Sequence, residues 1–299
     1  MTSRRFFYGT LSFLATVIAA NVGWHYHVNT YGIFGNVSGT KIQIYANDRF
    51  EKTMLAYNYI PANFSSILIG PSTVTNINTA NIHSEKIYNL GINGGNISEL
   101  SFLLQLYMEK RIPNYVIIGF YPILFNSAGM LTNYISDSAK FAAFGSVDLF
   151  KRYFIQFFRS MTKSNPYNEF GHHHYLIPSK KESYSPEQLA NMANWKFNVF
   201  AWLDFRNLLL QLQEHQVKII FYFHPIPYPS YSNNKEKAAF FEKFIFNVLP
   251  TNAIIYNFNT PEYEYFTSDE LNYQDDRHLS DRGAAWLERF LDKLIRGTM

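Results

Sequence analysis

Five short runs of mostly apolar residues punctuate the chain, at 66–69, 86–90, 115–118, 217–223 and 253–256. They are apolar or aromatic at nearly every position rather than at alternate ones. That is the pattern of strands covered on both faces, and such strands belong to parallel sheets. Between the runs the period becomes helical. Leu100, Leu103, Leu104 and Tyr107 share one face of a helix predicted over 97–110, and further helices are predicted over 191–215, 235–248 and 284–295. Strand and helix alternate, so the expectation is a three-layer α/β/α domain on a five-stranded parallel sheet with right-handed crossovers. In such sheets the chemistry gathers at the carboxyl ends of the strands.

Two stretches depart from this alternation. Arg4 and Arg5 precede an uncharged, apolar stretch from Phe6 to Trp24, and no charged residue follows until Lys41. As a helix it would run roughly 28 Å, close to the hydrocarbon thickness of a bilayer. The paired arginines favour a cytoplasmic N-terminus, which would place everything after Trp24 outside the cytoplasm. Residues 1–28 are thus read as a single-pass signal anchor, 29–47 as a linker and 48–299 as the folded domain. A cleaved signal peptide ending near Ala19-Ala20 is the competing reading. A buried core helix would need a polar face that this stretch lacks. The second departure is about 125–194, aromatic and uneven, with a helix predicted over 150–161. It is too long for a plain connection and reads as an insertion over the active face.

Composition narrows the chemistry. At 47% hydrophobic and 18% aromatic, 299 residues suffice for one large domain. The net charge is only +3 and the 26 Lys and Arg are scattered, so no basic stripe offers itself to nucleic acid. With no Cys there is no disulfide, thiolate nucleophile or thiolate metal site, and hydroxyls remain as the obvious nucleophiles.

Three strand ends carry candidate residues. The first run leads into Gly70-Pro71-Ser72, where a turn would expose the Ser72 hydroxyl at the sheet edge. The second ends in Gly91-Ile92-Asn93-Gly94-Gly95, whose glycines let backbone N–H groups approach a ligand; a plain strand-to-helix turn explains them equally well. Before the last helix stands Asp275-Asp276-Arg277-His278. An Asp three residues before a His can hold the imidazole Nδ1–H and leave Nε2 to take a proton from a serine. The bystander reading has Asp276 or Ser280 capping the helix and Arg277 pairing with either acid. His172-His173-His174 suggests metal only in isolation, since three consecutive side chains cannot all face one ion; no metal site and no cofactor are expected. Tyr121, Tyr228 and His224 follow strands and are candidates to line a pocket.

Taken in order over about 64–296, these pieces resemble the SGNH hydrolase superfamily of GDSL-type esterases, lipases and acyltransferases, with its flavodoxin-like sheet. The resemblance implies Ser72 as nucleophile, His278 as general base, Asp275 as the orienting acid and the Gly94 N–H as an oxyanion donor. Gly91, Asn93, Tyr121 and His224 are the further oxyanion or substrate-binding candidates. Two positions depart from the family pattern. Pro71 stands where an Asp is usual, and Ile118-Gly119-Phe120-Tyr121 lacks the Asn that completes the oxyanion hole. Losing one such donor costs on the order of 3 kcal/mol unless Asn93 or another side chain substitutes. The missing Asn and the anchor look most like the membrane-tethered branch typified by the D-alanyl transfer protein DltD and the alginate acetylation proteins. That resemblance implies an acyl donor, a cell-envelope or exopolysaccharide hydroxyl as acceptor, and a multi-spanning membrane acyltransferase as partner. A protein using the same fold only to bind a glycan or such a partner is the alternative.

Overall fold

The computed structural model describes residues 3–29, 31–33, 48–125, 167–173 and 197–297. Five strands, β1 (Ser66–Ile69), β2 (Ile87–Asn89), β3 (Tyr115–Phe120), β4 (Lys218–Phe223) and β5 (Ile254–Asn257), form one sheet in the order β2-β1-β3-β4-β5, every pair parallel. The principal helices are α1 (Ser3–Val28), α2 (Asp48–Ala56), α3 (Ser72–Thr75), α4 (Ile97–Met108), α5 (Val199–Glu214), α6 (Lys235–Phe246) and α7 (Asp281–Arg296).

The strands are mostly apolar because both faces are covered. Ile67, Ile69, Val116, Ile118, Ile219 and Phe221 pack into one core with α2, α4, α5 and α6. The alternate residues Leu68, Ile117, Ile220 and Tyr222 pack into a second core with Val74 and with Ala284, Leu287 and Leu291 of α7. A fully buried aliphatic side chain of this kind contributes about 1.5–3 kcal/mol. The three layers match the expectation. β5, at one end of the sheet order, differs: it is exposed or half-buried at every position, whereas β2 at the other end is fully buried.

Helix boundaries follow local chemistry. α4 starts at Asn96, whose side chain accepts from the Glu99 N–H while Glu99 accepts from the Asn96 N–H. α7 starts at Ser280, whose Oγ accepts from the Gly283 N–H, and ends at Gly297 in the left-handed region. α5 begins at Val199 behind an Asn198 cap, later than predicted; 191–196 lie outside the described residues, as do the predicted helix 150–161 and most of the insertion. The linker reading needs correction at 31–33. Tyr31 is buried with its ring on Phe50, and Asn58 Nδ2 donates to Gly32 O at 3.0 Å, so this stretch packs onto the domain.

Arg4–Trp24 of α1 is long and apolar enough to cross a membrane. Phe6, Phe13, Ile18 and Trp24 are exposed, so the helix finds no apolar cover within the described residues.

The carboxyl ends of β1, β2 and β3 meet around one side chain. Val74, fully buried, sits against Gly70, Gly91 and Gly119. A Cβ on Gly70 would lie 2.6 Å from Val74 Cγ1, one on Gly91 2.5 Å from Val74 Cγ2, and one on Gly119 would collide with Val74 and with the Tyr222 hydroxyl. Three strand ends thus dispense with side chains so that α3 can sit on them. Gly119→Ala is expected to destabilise the domain by about 1–3 kcal/mol through overpacking, read as a lower urea midpoint at unchanged slope.

Candidate active site

Ser72 is the first residue of α3, directly after β1 and the extended Pro71. A four-residue helix has little stability of its own, so its position comes from its neighbours. The buried Asn89 at the end of β2 donates from Nδ2 to Val74 O at 2.7 Å and to Ile77 O at 2.9 Å, and its Oδ1 accepts from the Gly91 N–H at 3.0 Å. Asn76 Nδ2 donates to Leu279 O at 2.5 Å, tying the segment after the serine to the residue after the histidine. Glu288 of α7 accepts from the Asn78 N–H at 2.6 Å and from Asn81 Nδ2 at 2.7 Å.

The facing loop is a tight hairpin closed by a Tyr273–Leu279 bridge, with the Gln274 N–H donating to His278 O. Inside it, Asp275 Oδ1 accepts the N–H groups of Arg277 at 2.9 Å and His278 at 2.7 Å, while Oδ2 lies 2.7 Å from His278 Nδ1. Burial pushes the Asp275 carboxyl up. Its bond to the imidazole, the charge His278 carries when protonated, and the two N–H groups outweigh burial and hold it down at about 2. An ionised carboxylate only accepts, so the proton sits on His278 Nδ1 and Nε2 presents its lone pair. That Nε2 lies 2.9 Å from Ser72 Oγ. Residues 206 positions apart therefore complete a Ser72–His278–Asp275 relay.

The bystander readings separate cleanly. Arg277 pairs with Asp276 through two bonds of 3.1 Å, Ser280 caps α7, and Asp275 is left to the histidine. Arg277 O accepts from His224 Nε2 at 3.0 Å. His224 is fully buried, and burial drives its imidazole down to about 3, which keeps it neutral. Tyr121 is also buried, its ring edge-on to His224 at 6.3 Å, and burial pushes its hydroxyl well above the ordinary range. His224 lines a small cavity with Phe120, Pro122, Ile226 and Asn259 while its Nε2 supports the relay loop through Arg277 O, and Tyr121 packs with Ile226 beside it.

The second strand end is resolved atom by atom. The Gly91 N–H is taken by Asn89, the Ile92 N–H by Gly70 O at 3.2 Å, the Asn93 N–H by Asp48 Oδ2 at 2.8 Å and the Gly95 N–H by Ile92 O at 3.0 Å. Among the described residues, the Gly94 N–H is the one main-chain donor of 91–95 without an acceptor. Gly91 is thereby corrected from candidate donor to spacer, its missing Cβ leaving room for Val74. Gly94 has φ +62, a conformation that favours glycine. The Asn93 side chain spans Thr75 Oγ1 and Tyr167 Oη, each at 3.4 Å.

The described part of the insertion, 167–173, docks here as well. The His173 N–H donates to Thr75 O at 2.7 Å and the Asn89 N–H to Phe170 O at 2.8 Å. His173 faces the Tyr167 ring at 4.4 Å, and no group of three or more metal-binding side chains occurs among the described residues. His174 lies outside them. Beyond β4 and β5, a cavity of about 230 Å³ is lined by Tyr228, Tyr231, Lys235, Glu242 and Asn257, with Asn259 in its wall. Asn259 Nδ2 donates to His224 O at 3.0 Å, so the cavity shares a wall with the support of the relay loop.

Sequence reasoning located the relay and missed its supports. Asn76, Asn89 and Lys52 are polar residues whose partners are distant main-chain groups, and no local spacing announces such bonds.

No protein-family model matches the chain, and no curated protein matches it. Among solved structures it is similar to a protein from Streptococcus pneumonia provisionally described as a platelet activating factor, at 11% identity and a TM-score of 0.49, covering 83% of this chain and 91% of that one. It is also similar to a GDSL-like lipase from Bacteroides thetaiotaomicron VPI-5482, at 8% identity and a TM-score of 0.40, covering 83% and 95%. These likenesses carry no residue-level information.

Asp275 yields a signed prediction. Its folded pKa lies below the ordinary carboxylate value, so its contribution to stability is present above about pH 4 and is lost as the pH falls toward 2. Asp275→Asn should flatten the acid limb of a stability-against-pH curve over that interval.

Proposed function

We propose that this chain is a membrane-anchored serine esterase or O-acyltransferase that works outside the cytoplasm on hydroxyls of cell-envelope glycans or exopolysaccharides. The observation that carries the reading is the continuous Ser72–His278–Asp275 hydrogen-bond relay. The N-terminal helix supports the location, because Arg4 and Arg5 at its start favour a cytoplasmic end and leave the domain on the far side.

In this reading, the Ser72 Oγ attacks the carbonyl carbon of an ester or thioester as its proton moves to His278 Nε2, and Asp275 stabilises the imidazolium. The N–H groups of Ser72 and Gly94 receive the oxyanion. The tetrahedral species collapses, the leaving oxygen or sulfur takes the proton from Nε2, and the acyl group remains on Ser72. An acceptor hydroxyl, or water, then gives its proton to Nε2 and attacks the acyl-serine; the second tetrahedral species collapses, Ser72 Oγ takes the proton back from Nε2, and the acceptor carries the acyl group away. The anchor favours transfer over hydrolysis, since it holds the site at the surface where a membrane acyltransferase would deliver acyl groups. The cavity beside Asn259 suits a sugar: Glu242, Lys235 and Asn257 offer acceptors and donors, and the exposed Tyr228 ring offers a stacking face.

Two measurements test this. A fluorophosphonate should label the wild type and lose at least 95% of its incorporation in Ser72→Ala; equal labelling of both ends the enzymatic reading. If Ser72→Ala also supports normal acylation of envelope glycans in cells, the chain serves as a binding partner instead. Tyr228→Ala should lower kcat/KM for an acetylated oligosaccharide by about ten-fold, the scale of one lost sugar contact, and leave p-nitrophenyl acetate hydrolysis within two-fold.

A further inference from the structure

Helix α2 presents Asp48, Arg49 and Lys52 to the second strand end, and each holds a different atom of it. Asp48 Oδ2 accepts the Asn93 N–H at 2.8 Å. Arg49 Nη2 donates to Gly94 O at 3.1 Å, while its Nε is paired with the buried Glu99 at 2.8 Å. Lys52 Nζ donates to Asn89 O at 2.9 Å, Gly91 O at 2.5 Å and Gly171 O at 3.2 Å.

Lys52 is 0% exposed. An ammonium has three N–H donors and here meets three carbonyls, so its hydrogen-bonding capacity is filled by main chain alone. The Tyr167 ring lies 5.6 Å from Nζ. Burial pushes the group down to about 7, with Asp48 pushing it back up, and a methionine would fill the same space without a polar head to satisfy. What the head achieves is a junction. Asn89 orients α3, Gly91 stands three residues before the Gly94 donor, and Gly171 belongs to the segment whose His173 N–H is bound to Thr75, so three pieces around Ser72 are tied to one nitrogen.

We infer that Lys52 is a positioning residue for the reaction proposed above: its three N–H groups hold the loop bearing the Gly94 N–H in register with α3 and with residues 167–173. The activity readouts rest on that proposal; the structural readout does not. A residue that only fills the core would affect the whole domain when replaced. A positioning residue affects the loop and the chemical step.

The test uses the full chain in detergent micelles, with p-nitrophenyl acetate as substrate and amide hydrogen exchange as the structural probe. Lys52→Met keeps the volume and removes every donor; Lys52→Gln keeps two. The expected result is a fall in kcat of ten-fold or more for Met and a smaller fall for Gln, with KM within two-fold. Exchange should quicken at 89–95 and 167–173 and stay unchanged in β3. Wild-type kcat in Lys52→Met, a fall in KM-dependent terms alone, or faster exchange spread evenly through the sheet would each overturn the inference. So would failure of both variants to fold, which would make Lys52 a residue of general stability. If the wild type neither labels at Ser72 nor turns over, the functional proposal falls, and local exchange at 89–95 and 167–173 still decides for or against Lys52.

Discussion

Val74 occupies the point where the carboxyl ends of β1, β2 and β3 converge, and the candidate site depends on its being able to do so. The strands are delivered to a common edge by parallel pairing, but a helix as short as α3 cannot rest there unless the backbone beneath it is bare. Gly70, Gly91 and Gly119 supply that bareness from three separate strands. Ser72 is placed from below by packing, and only afterwards from the sides by hydrogen bonds. Packing of this kind is nearly incompressible, so the Ser72 hydroxyl inherits the rigidity of the sheet.

Around this seat, main-chain groups do most of the orienting. Asn89 and Asn76 reach carbonyls on either side of the serine; Asp275 gathers two N–H groups before it meets the imidazole; His224 supports the relay loop through Arg277 O. A side chain bonded to main chain fixes a whole peptide plane, and a peptide plane has fewer ways to move than a second side chain would. The relay is therefore held by few residues despite a separation of 206 positions between its serine and histidine.

The parts legible in the sequence were those governed by short-range rules. Continuous apolar runs announced the sheet because both of its faces are covered, and they found β5 as well, although that strand is only partly covered. Asp275 and His278 were legible because their partnership spans three residues of one hairpin. The role of Gly91 was misread because placement after a strand says that a residue is near the active edge, not whether its N–H is free to face a ligand. Gly91 gives its N–H to Asn89. Lys52 was invisible, because a lysine in an amphipathic nine-residue helix looks like any solvated one until three distant carbonyls converge on it.

Two positions singled out in the sequence take on physical meaning beside these contacts. With Pro71 ahead of the serine, no side chain there can donate or accept, and α3 is oriented by Asn89 and Asn76 instead. At the third strand end, the Phe120 ring packs into the core and the Tyr121 ring stands edge-on to His224. In the densely anchored stretch 91–95 every other main-chain donor is bonded, and the Gly94 N–H alone has no acceptor among the described residues.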